Sequence, residues 1–350
     1  MELKRKKYVY ISISFIFLLL CIGISASVGS SSIGIQDIFK LIFSKVPILK
    51  GFVDSSDVKQ VYEVIIWKVR LPRILQASLV GGSLAVVGCT FQAVFKNSLA
   101  DPHILGISSG AALGATIAIL SGITMNFLGI GVISICSFAA AIATVIAVYN
   151  LGSIGGRGSI ITTNILLTGT AISTMLSSAI SLLMIYNREQ LEKVYLWTLG
   201  SFSSANWSRV IFLSIISLIS ISVLFMFGRE LNILLTGDET AYSLGVDVSR
   251  IKKILIIIST ILISSSVSVS GIIGFVGLIV PHCVRLIMGS DHRMLLPISY
   301  FGGSIFMIIC DTIARTAAQP TEIPVGIITA FFGAPYFIYL LYRSTKRKVS

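Results

Sequence analysis

Three arginines stand at the edges of apolar stretches. Arg70 and Arg73, in Arg70-Leu71-Pro72-Arg73, precede one charge-free run, and Arg315 follows another. A guanidinium stays charged at any physiological pH and presents a planar fork that grips carboxylates two oxygens at a time. Such cations at the mouth of a membrane bundle would dock a carboxylate-bearing protein. The plainer reading makes them interfacial anchors, with Asp311 an i,i+4 partner for Arg315.

A second constellation is Gly237, Asp238, Glu239, Thr240, Ala241, Tyr242, Ser243, Leu244, Gly245 and Val246. Two glycines bracket about two turns of mixed polar and apolar residues, and acidic residues suit the start of a helix. A short surface helix of this kind fits a partner's groove; an ordinary connecting loop is the alternative. The third is Gly271-Ile-Ile-Gly-Phe-Val-Gly-Leu-Ile-Val-Pro-His282, where Gly271, Gly274, Gly277 and Pro281 would break an apolar span. Irregular backbone at membrane depth is tolerated where protein or a water-filled path surrounds it, and broken helices often border transport pathways.

Other chemistry is missing. No Gly-x-x-x-x-Gly-Lys-Ser/Thr phosphate loop exists. Gly152–Ser159 is glycine-rich but lacks the lysine, and reads as a flexible internal loop. No His-Glu-x-x-His motif and no paired-carboxylate site is present, so no catalytic residue and no metal ligand is assigned. His103, His282 and His292 are isolated and read as structural. Cys21, Cys89, Cys136, Cys283 and Cys310 lie in or beside apolar runs without metal-type spacing and read as packing residues.

The elements that must hold these residues are membrane spans. Of 350 residues, 55% are hydrophobic and only 12% charged, about half the charge of a soluble domain. The charges are segregated: none falls in 8–36, 74–95, 102–156, 158–187, 210–228, 254–284, 294–310 or 323–342. A helix needs about 20 apolar residues to cross a bilayer. The window 102–156 holds two crossings, and 254–284 a full helix plus a short or broken one. About ten crossings follow: 8–28, 72–95, 104–123, 128–150, 161–186, 208–228, 252–270, 275–288, 294–313 and 323–342. The expected fold is an all-α integral membrane bundle, with residues 1–350 as one membrane domain.

Net charge is +12, but the cations flank the spans, which argues against nucleic acid as partner. Lys4, Arg5, Lys6 and Lys7 precede the first span; Arg343, Lys346, Arg347 and Lys348 follow the last. The positive-inside rule then makes both termini cytoplasmic, which an even number of crossings requires. The first span reads as a retained helix, not a cleaved signal. Residues 29–70 and 187–207 become external segments, the latter with Trp197 and Trp207 at an interface. Residues 229–251 become the largest internal loop. Gly81-Gly82-Ser83, Ser108–Ala112 and Gly302-Gly303-Ser304 supply small residues for close helix approach. No ionisable residue falls mid-span, so ion-coupled carriage, which needs such groups, is disfavoured and energy must come from a partner. A membrane-embedded enzyme is disfavoured for want of any acid, base or nucleophile pair.

At these motifs the chain resembles the FecCD-type permeases of ABC importers for iron–siderophore, haem and vitamin B12. The resemblance runs over about residues 60–343, in family order. It is carried by Arg70–Arg73, Asn97–Pro102 leading into Leu105–Gly110, Trp197–Ser201, and Gly237–Ala241 with Leu244–Val246. Gly274–Leu278 with Pro281-His282, Asp291–Arg293, Asp311–Arg315, Glu322–Gly326 and Gly333–Pro335 complete it. The chain departs from the family at Ser98 and Ile272, where proline is usual, and loses a rigid turn restraint at each.

The resemblance implies a type II importer permease-like bundle of ten helices in a bacterial plasma membrane. Two such subunits, identical or paralogous, would flank a central path, with two ATPase subunits below and an extracytoplasmic substrate-binding protein above. ATP and Mg would belong to the ATPases, with no cofactor on this chain. Arg70, Arg73 and Arg315 would receive the binding protein's glutamates, and residues 237–246 would be the coupling helix in the ATPase groove. An iron–siderophore-type chelate is the expected cargo, with haem or cobalamin the alternatives.

Overall fold

The computed structural model describes residues 2–29, 33–45, 59–127, 129–154 and 159–349. It is a helical bundle. The first half comprises α1 (Glu2–Ser27), α2 (Ile35–Lys45), α3 (Gln60–Val64), α4 (Leu71–Val94), α5 (Ile107–Ser121), α6 (Val132–Gly152), α7 (Ser159–Tyr186) and α8 (Leu191–Thr198). The second comprises α9 (Trp207–Met226), α10 (Gly228–Leu234), α11 (Asp238–Ser243), α12 (Val248–Ser270), α13 (Val276–Met288), α14 (His292–Thr316) and α15 (Val325–Val349). A two-residue antiparallel ribbon, β1 (Asn126–Phe127) with β2 (Ile130–Gly131), joins α5 to α6.

Among the described residues, seven helices are long and apolar enough to cross a membrane, and α5, α13 and Val325–Leu340 of α15 are shorter apolar helices. Each of the ten expected spans coincides with one of these. One boundary is corrected. The second span was expected to open at residue 72, after an external segment 29–70. Instead α3 starts at Gln60, and a π-helical stretch, Ile65–Arg70, carries it without interruption into α4. Glu63, Lys68 and Arg70 make this stretch look like a loop by charge. Its apolar side is nonetheless buried at Ile66, which is why it stays helical. Residues 30–32 and 46–58 of the same segment lie outside the described residues, as do 155–158 of the glycine-rich 152–159 stretch and the side chains of the flanking cations at both termini.

The Gln60–Val94 rod is the buried axis of the molecule, with 89% of its apolar window inside, against 17% for α1 and 11% for α7. Helix α14 lies antiparallel beside it, and the two Gly-Gly-Ser motifs form the seam. A Cβ on Gly81 would stand 2.2 Å from the Gly303 carbonyl oxygen, and one on Gly303 2.3 Å from that of Gly81. Ser304 donates to the Ser78 carbonyl at 2.8 Å. Lower down, a Cβ on Gly88 would stand 1.9 Å from the Gly277 carbonyl oxygen of α13. In lipid, contact between helix backbones replaces the hydrophobic drive that water supplies. The outer helices present apolar faces, such as Ile16 and Leu20 on α1 and Leu218 and Ile219 on α9, the pattern lipid requires. Trp207 donates to the Trp67 carbonyl at 2.7 Å and stacks on its ring, with centroids 6.1 Å apart.

Candidate functional site

The three arginines come together at one end of the bundle, and the chain itself engages all of them. Arg73 Nε lies 3.0 and 3.1 Å from the two Asp311 oxygens, and its Nη2 lies 2.9 Å from Oδ1. Its Nη1 donates to both Glu322 oxygens at 2.9 Å. Asp311 is buried, while the Glu322 side chain is 45% exposed. Arg70 Nη1 donates to the Ala26 carbonyl at 2.6 Å and to that of Ser27 at 3.3 Å. Arg315 donates to the carbonyl and hydroxyl of Ser25, and its Nε lies 3.8 Å from Asp311. Two of the three cations thus cap the last carbonyls of α1, where a helix leaves acceptors unpaired and concentrates negative potential. The i,i+4 pairing of Asp311 with Arg315 is the loose contact; Arg73, from another helix, makes the tight one. The cluster borders an open cavity of about 500 Å³ lined by Arg70, Arg73, Arg315, Gln319 and Glu322, among others.

Residues 237–246 lie at the opposite end of α4. Gly237 (φ +120°) and Gly245 (φ +78°) bracket α11 in backbone conformations that suit glycine. Asp238, its first residue, receives Lys96 from the end of α4 at 2.7 Å and Lys252 from the base of α12 at 3.0 Å. Burial opposes ionisation of Asp238, but hydrogen bonds and charge from the two lysines outweigh it, and its pKa falls below the ordinary carboxylate value. The helix is seated by Ala241, which is buried, and it exposes Glu239, Thr240, Tyr242 and Ser243, with Leu244 just beyond. A pinned helix with an aromatic and an aliphatic side chain turned outward is suited to protein contact.

The break expected at 271–282 lies ahead of a helix and not within one. Helix α12 ends at Ser270, residues 271–274 are irregular, and α13 starts after Phe275, which has φ +70°. Gly271 (φ +72°) and Gly274 fall in the break, Gly277 lies in the first turn of α13, and Pro281 sits inside a helix that continues through it. Protein groups meet two carbonyls here, one on the last residue of α12 and one inside the break. Ser201 N donates to Ser270 O at 2.8 Å, and His103 Nε2 lies 2.9 Å from Ile273 O. Donation to that carbonyl fixes the tautomer of His103 and leaves Nδ1 to accept from Ser108.

Helix α7 carries a feature that composition conceals. Thr163, Thr170, Thr174, Ser177 and Ser181 recur at helical spacing and are all exposed. Thr170, Thr174 and Ser181 return their hydroxyl protons to carbonyls of their own helix. A stripe of hydroxyls on an apolar helix, three of the five bonded within the helix, can face either water or a second helix.

The FecCD transport family profile matches residues 17–343. The chain is 41% identical over 284 residues to a cobalamin import system permease of Halobacterium salinarum, covering 81% of this chain and 75% of that one. It is 40% identical over 286 residues to a hemin transport system permease of Yersinia pestis, covering 81% and 85%. A solved ABC transporter of the metal-chelate type, in an inward-facing conformation, superposes with a TM-score of 0.81 at 31% identity, over 95% of this chain and 98% of that one. With its bundle of apolar helices, this chain belongs to the FecCD transport family and is a multi-pass membrane permease of the type II ABC importer class, which serves chelated metals, haem and vitamin B12.

Proposed function

We propose that this chain is one half of the membrane path of an ATP-driven importer for iron–siderophore-type chelates. A second permease subunit completes the path, two ATPase subunits bind the α11 face, and an extracytoplasmic binding protein delivers cargo to the arginine end. The observation that carries this reading is α11 itself: pinned through Asp238, and with Tyr242 and Leu244 facing outward, it is a rigid contact for a separate ATPase. Two copies meeting through α7 would put its hydroxyl stripe on a shared path, where a polar chelate needs hydrogen-bonding walls. Alternating access follows when nucleotide events move α11 and the helices it is tied to. The metal-chelate type of the structural neighbour and the haem cargo named for one relative support an iron chelate. The test is parallel uptake of a labelled ferric siderophore, haem and cobalamin by cells carrying this permease with its own ATPase and binding protein. Uptake of the siderophore is expected; uptake of only cobalamin or haem would overturn the cargo.

A further inference from the structure

The α4 rod has one end in each of the two regions described above. Arg73 lies near the start of α4, and Lys96 lies two residues past its last, Val94, about 35 Å further on at 1.5 Å per residue. The rod is buried and seamed to α14 and α13 by direct backbone contact, so its two ends belong to one continuous, closely packed helix. Lys96 sits just past its C-terminus with φ +49°, a left-handed conformation that glycine adopts without penalty and a lysine does not. A residue suited only to ending the helix would be glycine. The lysine keeps its strained backbone and places Nζ 2.7 Å from Asp238, the first residue of α11.

We propose that Lys96 is a positioning residue that ties α11 to the α4 rod, so that docking at the arginine end alters ATP hydrolysis at the α11 end. The second contact of Asp238, with Lys252, ties α11 to α12, so the loop stays seated when the Lys96 tie is cut, and what is lost is the direct ion pair to the end of α4. The inference rests on the function proposed above.

The test uses the complete complex, permease with ATPases and binding protein, carrying Lys96→Gly or Lys96→Arg. Lys96→Gly relieves the backbone strain and removes the charge; Lys96→Arg keeps the charge. Expected for Lys96→Gly are unchanged thermal stability and binding-protein affinity, with the ratio of stimulated to basal hydrolysis reduced at least about threefold. Lys96→Arg should restore the stimulation. Wild-type stimulation in Lys96→Gly, or basal and stimulated rates falling in proportion, would overturn the tie. A wild-type complex that the binding protein neither binds nor stimulates would overturn the function proposed above, and the tie with it.

Discussion

Replacing Asp311 with Asn perturbs the arginine end at its centre. The carboxylate is 1% exposed and takes three contacts of 2.9–3.1 Å from Arg73, with Arg315 at 3.8 Å. After substitution an amide oxygen still accepts from Arg73, but Arg73, itself buried, has only the half-exposed Glu322 as an anionic partner, and Arg315 loses its one acidic neighbour on α14. Breaking a buried ion pair by removing one partner costs about 3–5 kcal/mol when the remaining charge is left without compensation. Because Arg73 keeps Glu322, the low end of that cost, about 3 kcal/mol, applies, and at about 2–4 °C per kcal/mol for domains somewhat smaller than this one the melting temperature should fall by about 6–12 °C. The assay is thermal unfolding of the detergent-purified permease, followed by the monodisperse fraction on size exclusion. Arg73→Gln combined with Asp311→Asn should lose less than the sum of the single losses, since residues in one ion-pair network couple by about 0.5–3 kcal/mol. An Asp311→Asn protein that melts within about 1 °C of wild type, or an additive double variant, would refute the reasoning.

Gly88→Ala should destabilise by about 1–3 kcal/mol or more, because its Cβ meets the Gly277 backbone at 1.9 Å and no rotamer can relieve it. Gly23→Ala, with nothing within 4 Å, should be neutral, and the same melts compare them. Leu244→Glu, at an exposed site beside α11, should leave the melting temperature unchanged but remove at least about tenfold of ATPase affinity in a pull-down titration. Asp238 has a lowered pKa when folded, so its contribution is complete above the unfolded value of about 3.9 and is lost as pH falls through the folded value. Protease protection of the 237–246 loop should therefore hold from about pH 8 to pH 5 and fail only below about pH 4.

Much of this architecture is written in where charges are absent. Charge-free windows locate ten helices because lipid forbids ionisable groups along a span, and paired Gly-Gly-Ser motifs mark a close seam without saying that they face one another. The arginine end was only half legible. Arg70, Arg73 and Arg315 announce themselves by type, but their burial depends on Glu322, 249 residues from Arg73, and on the end of α1. The helical continuation back to Gln60 was hidden because Glu63, Lys68 and Arg70 resemble loop charges and only packing reveals the buried side. Gly237 and Gly245 marked the bounds of α11, whereas Lys96 and Lys252 reach it across the fold. The α7 hydroxyl stripe was present as a 3.6-residue period, but Thr and Ser inside an apolar run read as packing residues until their exposure is known. Pro281 misled: the helix starting after Phe275 accommodates it, and the break lies upstream, at the glycine whose φ is +72°.

The most direct measurement is ATP-driven uptake in proteoliposomes holding the purified permease, its ATPases and its binding protein, with labelled ferric siderophore outside and ATP enclosed. Accumulation should require ATP, the ATPase subunits and the loaded binding protein together, and Leu244→Glu should abolish it. Uptake by the permease alone, driven by an ion gradient and indifferent to ATP, would contradict it.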